Sequence, residues 1–391
     1  MNKEMRIPVI TGYGVICNLG EGKGEVKKNL FMNSDRFSAL SKKGDFGAFN
    51  SYKVGLSNIK EPAIIEKTDY DKSEIMLRLA AKEACLDAGL DITYFEQMED
   101  RAAISIATSL MGSDYMIHYE KDKQKDSEWL LYSKVYAMRL AAEWMIKGGL
   151  YTTSSACASG TAAIGVAIDL IKEGDCDLVL CGGADHISEI SLNGFDILGT
   201  LSKDRCKPFD DKRDGINIGE GSAFFIIEEH KHAKKRNAHI YGKLKGYGLS
   251  NDAYHITSPD PNGVGAVYSM EQAMMKENKK DVYINAHGTG THANDSMEIN
   301  AIQKCFPEQN VCVSSTKALT GHCLGAAGSV ELAFCLMFLE EGKVPKTANS
   351  AVDIEKNEKI LLDIPNYLKV NKILSNSFAF GGNNVSVFLT R

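Results

Sequence analysis

No two of the ten cysteines form a CxxC pair, and the nine histidines include no HExxH; His287 and His292 stand five apart. Zinc sites draw their ligands from such spacings, so no metal is expected. Most of the cysteines (Cys17, Cys85, Cys157, Cys176, Cys181, Cys206, Cys305, Cys312, Cys323 and Cys335) lie in apolar runs. There a thiol behaves as a small hydrophobe. With no disulfide framework, a reducing, cytoplasmic setting is expected. Met1–Gly20 has no basic stretch followed by an apolar core, so no signal peptide is expected. The longest apolar run, Val330–Leu339, contains Glu331 and falls short of the roughly 18 residues of a membrane span. Basic residues are outnumbered, 45 against 51 acidic ones, for a net charge of −6. That balance gives no reason to expect nucleic acid, although an acidic surface still permits a local basic patch.

The 391 residues suffice for two to four compact units, and 44% hydrophobic with 25% charged residues exclude a disordered chain. Short apolar strands alternate with helices. Arg6–Thr11 predicts a strand ending in a Gly12-Tyr13-Gly14 turn, and Ser73–Ala88 a helix closed by Gly89. Ala102–Ala107, Leu178–Cys181, Phe224–Ile227, Val282–Ala286, Val311–Ser314 and Val385–Leu389 predict further strands. Such alternation implies an α/β fold with sheets covered by helices. Glu120–Ser127 reads as a charged surface segment.

Two predicted helices, Ala156–Lys172 and Gly321–Leu339, are rich in Gly, Ala and Ser, and each ends in Glu-Gly. Glycine weakens a helix interior by about 1 kcal/mol relative to alanine, so these runs need a packing reason. Close packing between layers supplies one. Their likeness points to an internal duplication whose halves meet around Lys231–Ile240, giving units 1–235 and 236–391.

Cys157 lies within Ser154-Ser155-Ala156-Cys157-Ala158-Ser159-Gly160, a polar turn opening a helix. Unpaired N–H groups and the helix dipole there would stabilise a thiolate, or an oxyanion formed on an attacked acyl carbonyl. The alternative is one more buried structural cysteine. His287 follows a buried strand in Asn285-Ala286-His287-Gly288-Thr289-Gly290-Thr291, and Lys317 and His322 flank the second small-residue helix. A lone histidine at a strand end is usually structural; two in such turns are harder to dismiss. Asn376 to Asn384 adds a glycine-bearing aromatic turn before a strand.

These segments together resemble the β-ketoacyl-acyl-carrier-protein synthases, condensing enzymes of the thiolase superfamily, and within them the long-chain fatty-acid elongation type. The match also takes in Val9-Ile10-Thr11-Gly12, Cys181-Gly182-Gly183-Ala184, Pro208 to Gly215 and Ser250 to His255. The resemblance implies a thiolase-like, five-layered α-β-α-β-α fold of two similar halves, the first with the nucleophile and the second with two catalytic histidines. It assigns the nucleophile to Cys157, the paired histidines to His287 and His322, and their support to Lys317 and its partner Glu331. Phe378 and Phe380 match the gating loop, where the Phe380 amide joins that of Cys157 in an oxyanion hole; Thr289 and Thr291 match contacts to the phosphopantetheine arm. The implied reaction is decarboxylative Claisen condensation of an acyl thioester on Cys157 with malonyl-acyl carrier protein, in fatty-acid or type II polyketide (including polyene) synthesis. It implies no cofactor beyond the carrier protein's arm. The implied partners are acyl carrier protein and a second subunit, in a homodimer or a heterodimer with a chain-length subunit.

The chain departs from the family pattern between Gly112 and Gly149, where Glu128–Lys134 reads Glu-Trp-Leu-Leu-Tyr-Ser-Lys. Leu110 and Met111 replace part of a glycine-rich turn and have two readings, walls of the acyl cavity or ordinary core. Ala379 and His292 stand where the family has glycine and proline. The competing function is a noncatalytic chain-length subunit of the same fold, against which Cys157 and both histidines argue.

Overall fold

The computed structural model describes residues 5–39, 53–57, 59, 71–113, 132–275, 277–308, 311–350, 360–361 and 369–391. The Glu120–Ser127 segment and Glu128–Leu131 lie outside them. The strands are β1 (Pro8–Cys17), β2 (Gly20–Glu21), β3 (Ser38–Ala39), β4 (Lys53–Val54), β5 (Ala102–Ala107), β6 (Leu150–Thr153) and β7 (Leu178–Asp185). They continue with β8 (Gly221–Glu229), β9 (Gly242–Asn251), β10 (Val282–Asn285), β11 (Val311–Ser314), β12 (Ile360–Leu361), β13 (Lys372–Phe378) and β14 (Asn383–Thr390). The α-helices among the described residues are α1 (Lys23–Phe31), α2 (Lys72–Asp87), α3 (Ile92–Gln97), α4 (Lys134–Trp144), α5 (Ser159–Glu173) and α6 (Glu189–Ile197). The rest are α7 (His230–Lys235), α8 (Val264–Met274), α9 (His292–Cys305), α10 (Lys317–Thr320) and α11 (Ala327–Glu341).

Strand order reveals a repeat. The sheet runs β12-β11-β10-β13-β14-β9-β1-β8-β7-β5-β6, with β2 hydrogen-bonded to β1. Outward from the β1–β9 junction, one arm reads β1, β8, β7, β5, β6 and the other β9, β14, β13, β10, β11. The pairings match step by step: antiparallel, antiparallel, parallel, parallel. The arms are joined by a short antiparallel contact, Val9 to Lys243 and Ile10 to Gly242.

Helices complete five layers. On one outer face α2 covers β1, β7 and β8, and on the other α8 covers β9, β13 and β14. Between the arms, α5 and α11 touch each other; α5 packs on β5, β6, β7, β9 and β14, and α11 on β1, β8 and β13. This is why both are built from small residues. A Cβ on Gly160 of α5 would stand 2.6 Å from the Ser329 nitrogen of α11, and one on Gly328 would stand 2.1 Å from Thr161 Oγ1. Each helix ends on a left-handed glycine, Gly174 or Gly342, which only glycine adopts without Cβ strain. The central core mixes both arms, with Ile164, Ala167 and Ile168 beside Val330, Phe334 and Phe338.

Two expectations are corrected. Gly12-Tyr13-Gly14 is no turn: β1 runs through it to Cys17, with a register shift between Ile10 and Gly12. A Cβ at Gly12 or Gly14 would meet the Ala84 or Ala80 carbonyl of α2 at 2.4 or 2.2 Å, so these glycines admit the helix against the strand. Likewise β7 continues through Gly182-Gly183 and carries Asp185 to its end. No helix among the described residues is long and apolar enough to cross a membrane.

Candidate active site

Four loops at the carboxyl ends of parallel strands converge: Thr108–Met111 after β5, Ser154–Ala158 after β6, Ala286–Thr291 after β10 and Ser315–Leu324 after β11. The carboxyl ends of parallel strands are where α/β sheets present ligands to loops. The loop after β13, which includes Phe380, closes the group.

Cys157 does not open α5 as its sequence suggests. The helix starts at Ser159, and the cysteine sits in the preceding turn after Ala156, whose φ of 48° is left-handed. That conformation is uncommon for a residue with a Cβ. The Ala156 carbonyl accepts from Ser109 Oγ at 2.9 Å and Ser159 Oγ at 2.6 Å, which holds the elbow. Cys157 is 8% exposed and lines both a cavity of about 220 Å³ and a second of about 250 Å³. Phe195, Leu198 and Phe380 also line both, forming the partition around the thiol.

The surroundings of Cys157 do not lower its pKa as the helix end in the sequence suggests. Burial pushes the Cys157 thiol up to about 12, and Asp185 adds to this; Lys317 and the backbone N–H groups of Cys157 and Phe380 pull it down. Loss of hydration outweighs the favourable groups. Two amides nevertheless converge on the sulfur, the arrangement an acyl oxyanion needs.

His287 and His322 face each other, ring centroids 5.4 Å apart at 82°, and both line the first cavity. Burial, then the Lys317 charge, holds each well below the ordinary histidine range, so both are neutral. Leu324 N–H donates to His322 Nδ1 at 3.0 Å. An imidazole nitrogen that accepts carries no proton, so the His322 proton is on Nε2. Leu324 makes this contact from a left-handed φ of 53°. His287 Nδ1 is buried without a hydrogen-bond partner. The His287 backbone N–H is held by Glu298 Oε1 at 2.9 Å and the Gly288 N–H by Oε2 at 2.8 Å.

Lys317, on α10, lines neither cavity. It is buried against Glu331 of α11, Nζ to Oε1 2.5 Å, beneath the histidines. Burial pushes Glu331 up and Lys317 opposes it. Thr289 and Thr291 line the first cavity with their hydroxyls 3.0 Å apart; Thr291 also caps α9 through the Asn294 N–H. Phe378 lies 6.1 Å from His287, ring to ring, and Phe380 lies 5.7 Å from Phe195.

Leu110 lines the second cavity; Met111 lines neither. The Thr108 hydroxyl accepts from Met111 N–H at 2.8 Å, and the resulting turn sends Met111 into the outer core with Met76 and Leu77 of α2. For Met111 the packing reading holds.

Sequence reasoning missed Asp185, Glu298 and Phe195. Asp185 is fully buried and accepts from Thr108 Oγ1, the N–H groups of Ser109 and Leu110, and the Gly325 N–H at 2.7 Å. It thereby fastens the β5 loop of one half to the start of α11 in the other. Its signal was the Gly182-Gly183-Ala184 run just before it. Glu298 sits inside a polar helix, α9, with nothing local to mark it.

Sequence models of the Beta-ketoacyl synthase N-terminal domain and C-terminal domain match residues 7–233 and 241–351. A 3-oxoacyl-[acyl-carrier-protein] synthase 2 of Coxiella burnetii is 31% identical, the alignment covering 99% of each chain. A chain from a structure of a type II polyketide synthase acyl-carrier protein in complex with its ketosynthase bound to the hexaketide superposes with TM-score 0.88 at 26% identity, over 99% of this chain and 100% of that one. A chain from a ketosynthase in complex with its chain length factor, from Xenorhabdus doucetiae, gives TM-score 0.83 at 30% identity and 98% coverage of both. With both domain models matched in order along a thiolase-like fold, the chain belongs to the β-ketoacyl synthase family, whose members are acyltransferases.

Proposed function

We propose that the protein condenses an acyl group held on Cys157 with malonyl-acyl carrier protein, losing CO₂ and releasing a β-ketoacyl-acyl carrier protein. The observation that carries this reading is the convergence on one sulfur of two backbone N–H groups, beside two neutral histidines that line the same cavity. An acyl thioester enters past Thr289 and Thr291, whose hydroxyls suit the amides of a phosphopantetheine arm. Cys157 attacks its carbonyl; the thiol proton passes to the departing pantetheine thiolate. His287 suits that relay, since His322 already uses its only acceptor nitrogen on Leu324. The N–H groups of Cys157 and Phe380 hold the oxyanion.

Malonyl thioester then occupies the first cavity. As the C–C bond to its carboxylate breaks, negative charge grows on the thioester oxygen, where His322 Nε2–H and the N–H of His287 donate. Charge developing in a dry site gains most from fixed donors. The enolate carbon attacks the acyl carbonyl and the Cys157 sulfur leaves. Burial, and then the Lys317 charge, keeps both rings neutral, each with one ring N–H to donate as a hydrogen bond. No cofactor enters the scheme. Its partners are acyl carrier protein and a second subunit of the same fold, identical or a chain-length subunit.

The test supplies acyl- and malonyl-carrier proteins and reads both acylation of the enzyme, by intact mass, and CO₂ release. Cys157→Ala should lose acylation and condensation; condensation at the wild-type rate would remove Cys157 as nucleophile. His322→Ala should slow CO₂ release by roughly 10²–10³-fold, the typical effect of losing one oxyanion donor.

A further inference from the structure

Asp185 ends β7, is fully buried and lines neither cavity, so it does not meet substrate. Its hydrogen-bond partners among the described residues come from both halves of the chain, and three of them are backbone N–H groups. Oδ1 accepts from the Thr108 hydroxyl at 2.6 Å and the Leu110 N–H at 3.1 Å; Oδ2 accepts from the Ser109 N–H at 2.9 Å and the Gly325 N–H at 2.7 Å. A backbone N–H can only donate, so these three contacts leave no place for a carboxyl proton or for the NH2 of an amide.

Each side of the set fixes a backbone unit next to the reacting groups. Ser109 donates from Oγ to the Ala156 carbonyl at 2.9 Å. That carbonyl shares a trans peptide with the Cys157 N–H, which bonds to the cysteine's own sulfur. Carbonyl and N–H of a planar trans peptide point opposite ways, so holding the first aims the second. On the far side, the Gly325 N–H belongs to the peptide after Leu324, whose own N–H holds His322 Nδ1 at 3.0 Å. The two sides also touch: a Cβ on Gly325 would stand 2.5 Å from Ser109 Oγ and 2.6 Å from Asp185 Oδ2.

We propose, resting on the ketosynthase reading, that Asp185 is a positioning residue for both half-reactions. Its carboxylate sets the Cys157 N–H where the oxyanion forms during acylation, and the His322 ring where charge grows during decarboxylation. Asparagine keeps the shape but turns its NH2 toward the Gly325 N–H or the Leu110 N–H, and one side of the clamp opens. With Ser109 against Gly325, the other side moves with it. A misplacement of ~1 Å away from the chemistry can cost roughly 10²-fold.

The experiment measures the two half-reactions separately. Acylation of Cys157 by acyl-carrier protein is followed by intact mass, and CO₂ release by adding malonyl-carrier protein to enzyme already acylated. In Asp185→Asn, kcat should fall at least 10-fold in both steps with KM within 2-fold of wild type, while acylation still reaches every molecule. Thr108→Val, a substitution in the first half alone, should slow CO₂ release as well as acylation, by 3-fold or more; it carries the test if Asp185→Asn does not fold. Wild-type rates in folded Asp185→Asn, or a loss confined to one step, would overturn the proposal. So would a smaller acylated fraction formed at the wild-type rate, the mark of a residue that only stabilises the fold. All three results leave the ketosynthase reading standing; it falls, and the role of Asp185 with it, if wild-type Cys157 takes no acyl group.

Discussion

The Lys317–Glu331 pair offers the sharpest test of how this site is held. Both side chains are buried, at 1% and 2% exposure, and the contact is 2.5 Å. Glu331 Oε2 has no hydrogen-bond partner, so Lys317 is its main compensation. Replacing Lys317 by methionine keeps the volume and strands the carboxylate. Breaking a buried pair from one side costs about 3–5 kcal/mol, a large share of the ~5–15 kcal/mol that holds a typical protein folded. The stranded group has one escape, which is to take up a proton. Burial already raises its affinity for one. In Lys317→Met the native state then binds a proton that the unfolded chain releases above its own carboxyl pKa. The penalty should therefore grow as pH rises, by up to ~1.4 kcal/mol per pH unit. In Lys317→Met/Glu331→Gln no charge is left, and most of the loss should return. Urea unfolding at fixed protein concentration, at pH 6 and 8, measures all four corners of the cycle. A double variant as unstable as the sum of the singles would show that the two do not act as a pair; a Lys317→Met protein with a pH-independent deficit would show that Glu331 is not the group stranded.

Two further outcomes follow from single positions. Gly328→Ala gains about 1 kcal/mol of helix propensity, but its Cβ would stand 2.1 Å from Thr161 Oγ1 and 2.8 Å from the Thr161 nitrogen. A net loss of ~1–3 kcal/mol in urea unfolding is expected, and a stabilised variant would contradict the α5–α11 contact. Burial raises Glu298 to about 7, so from about pH 4.5 to 7 the folded protein holds a proton the unfolded chain has lost, and this contribution to stability disappears as pH rises through that window. Glu298→Gln removes the effect; the slope of stability against pH between 5 and 7 should become more positive than wild type by up to ~1.4 kcal/mol per unit, and an unchanged slope would mean that Glu298 is ionised in the fold.

The chemistry of the site was legible because it sits in short polar motifs bounded by buried strands. His287, Lys317 and His322 each follow a buried apolar strand within a few residues, Cys157 stands out by its small polar neighbours after the exposed β6, and the structure brings these loops to one place. The small-residue helices were legible for a related reason, since helices that dense in glycine need a close neighbour. What did not show was anything decided by direction at a single residue. Gly12 and Gly14 read as a turn because a glycine that makes room for a helix and one that turns the chain look alike in sequence. Met111 differs from Leu110 only in the sense of a turn set by the Thr108 hydroxyl. The upward push on the Cys157 thiol was not legible because the helix end is visible in sequence and the depth of burial is not.

The repeat in the sheet explains why Cys157 and the two histidines meet at all. In the two arms β6 corresponds to β11 and β5 to β10, so the loop with Cys157 and the loop with His322 are equivalent, each leading into a central helix. Because α5 and α11 pack on each other, their starts are brought together, and with them the two loops. The halves are not interchangeable at this seam. One loop turns left-handed at Ala156 and aims a thiol and an amide inward; the other turns left-handed at Leu324 and spends its amide on fixing the His322 proton. Asp185 then bonds to the β5 loop on its own side and to Gly325 on the other, so a displacement of either half is felt at both reacting groups. A duplicated scaffold supplies the symmetry of approach, and two single-residue departures from ordinary backbone set the sides apart, one aiming the Cys157 thiol into the cavity and the other fixing the His322 ring.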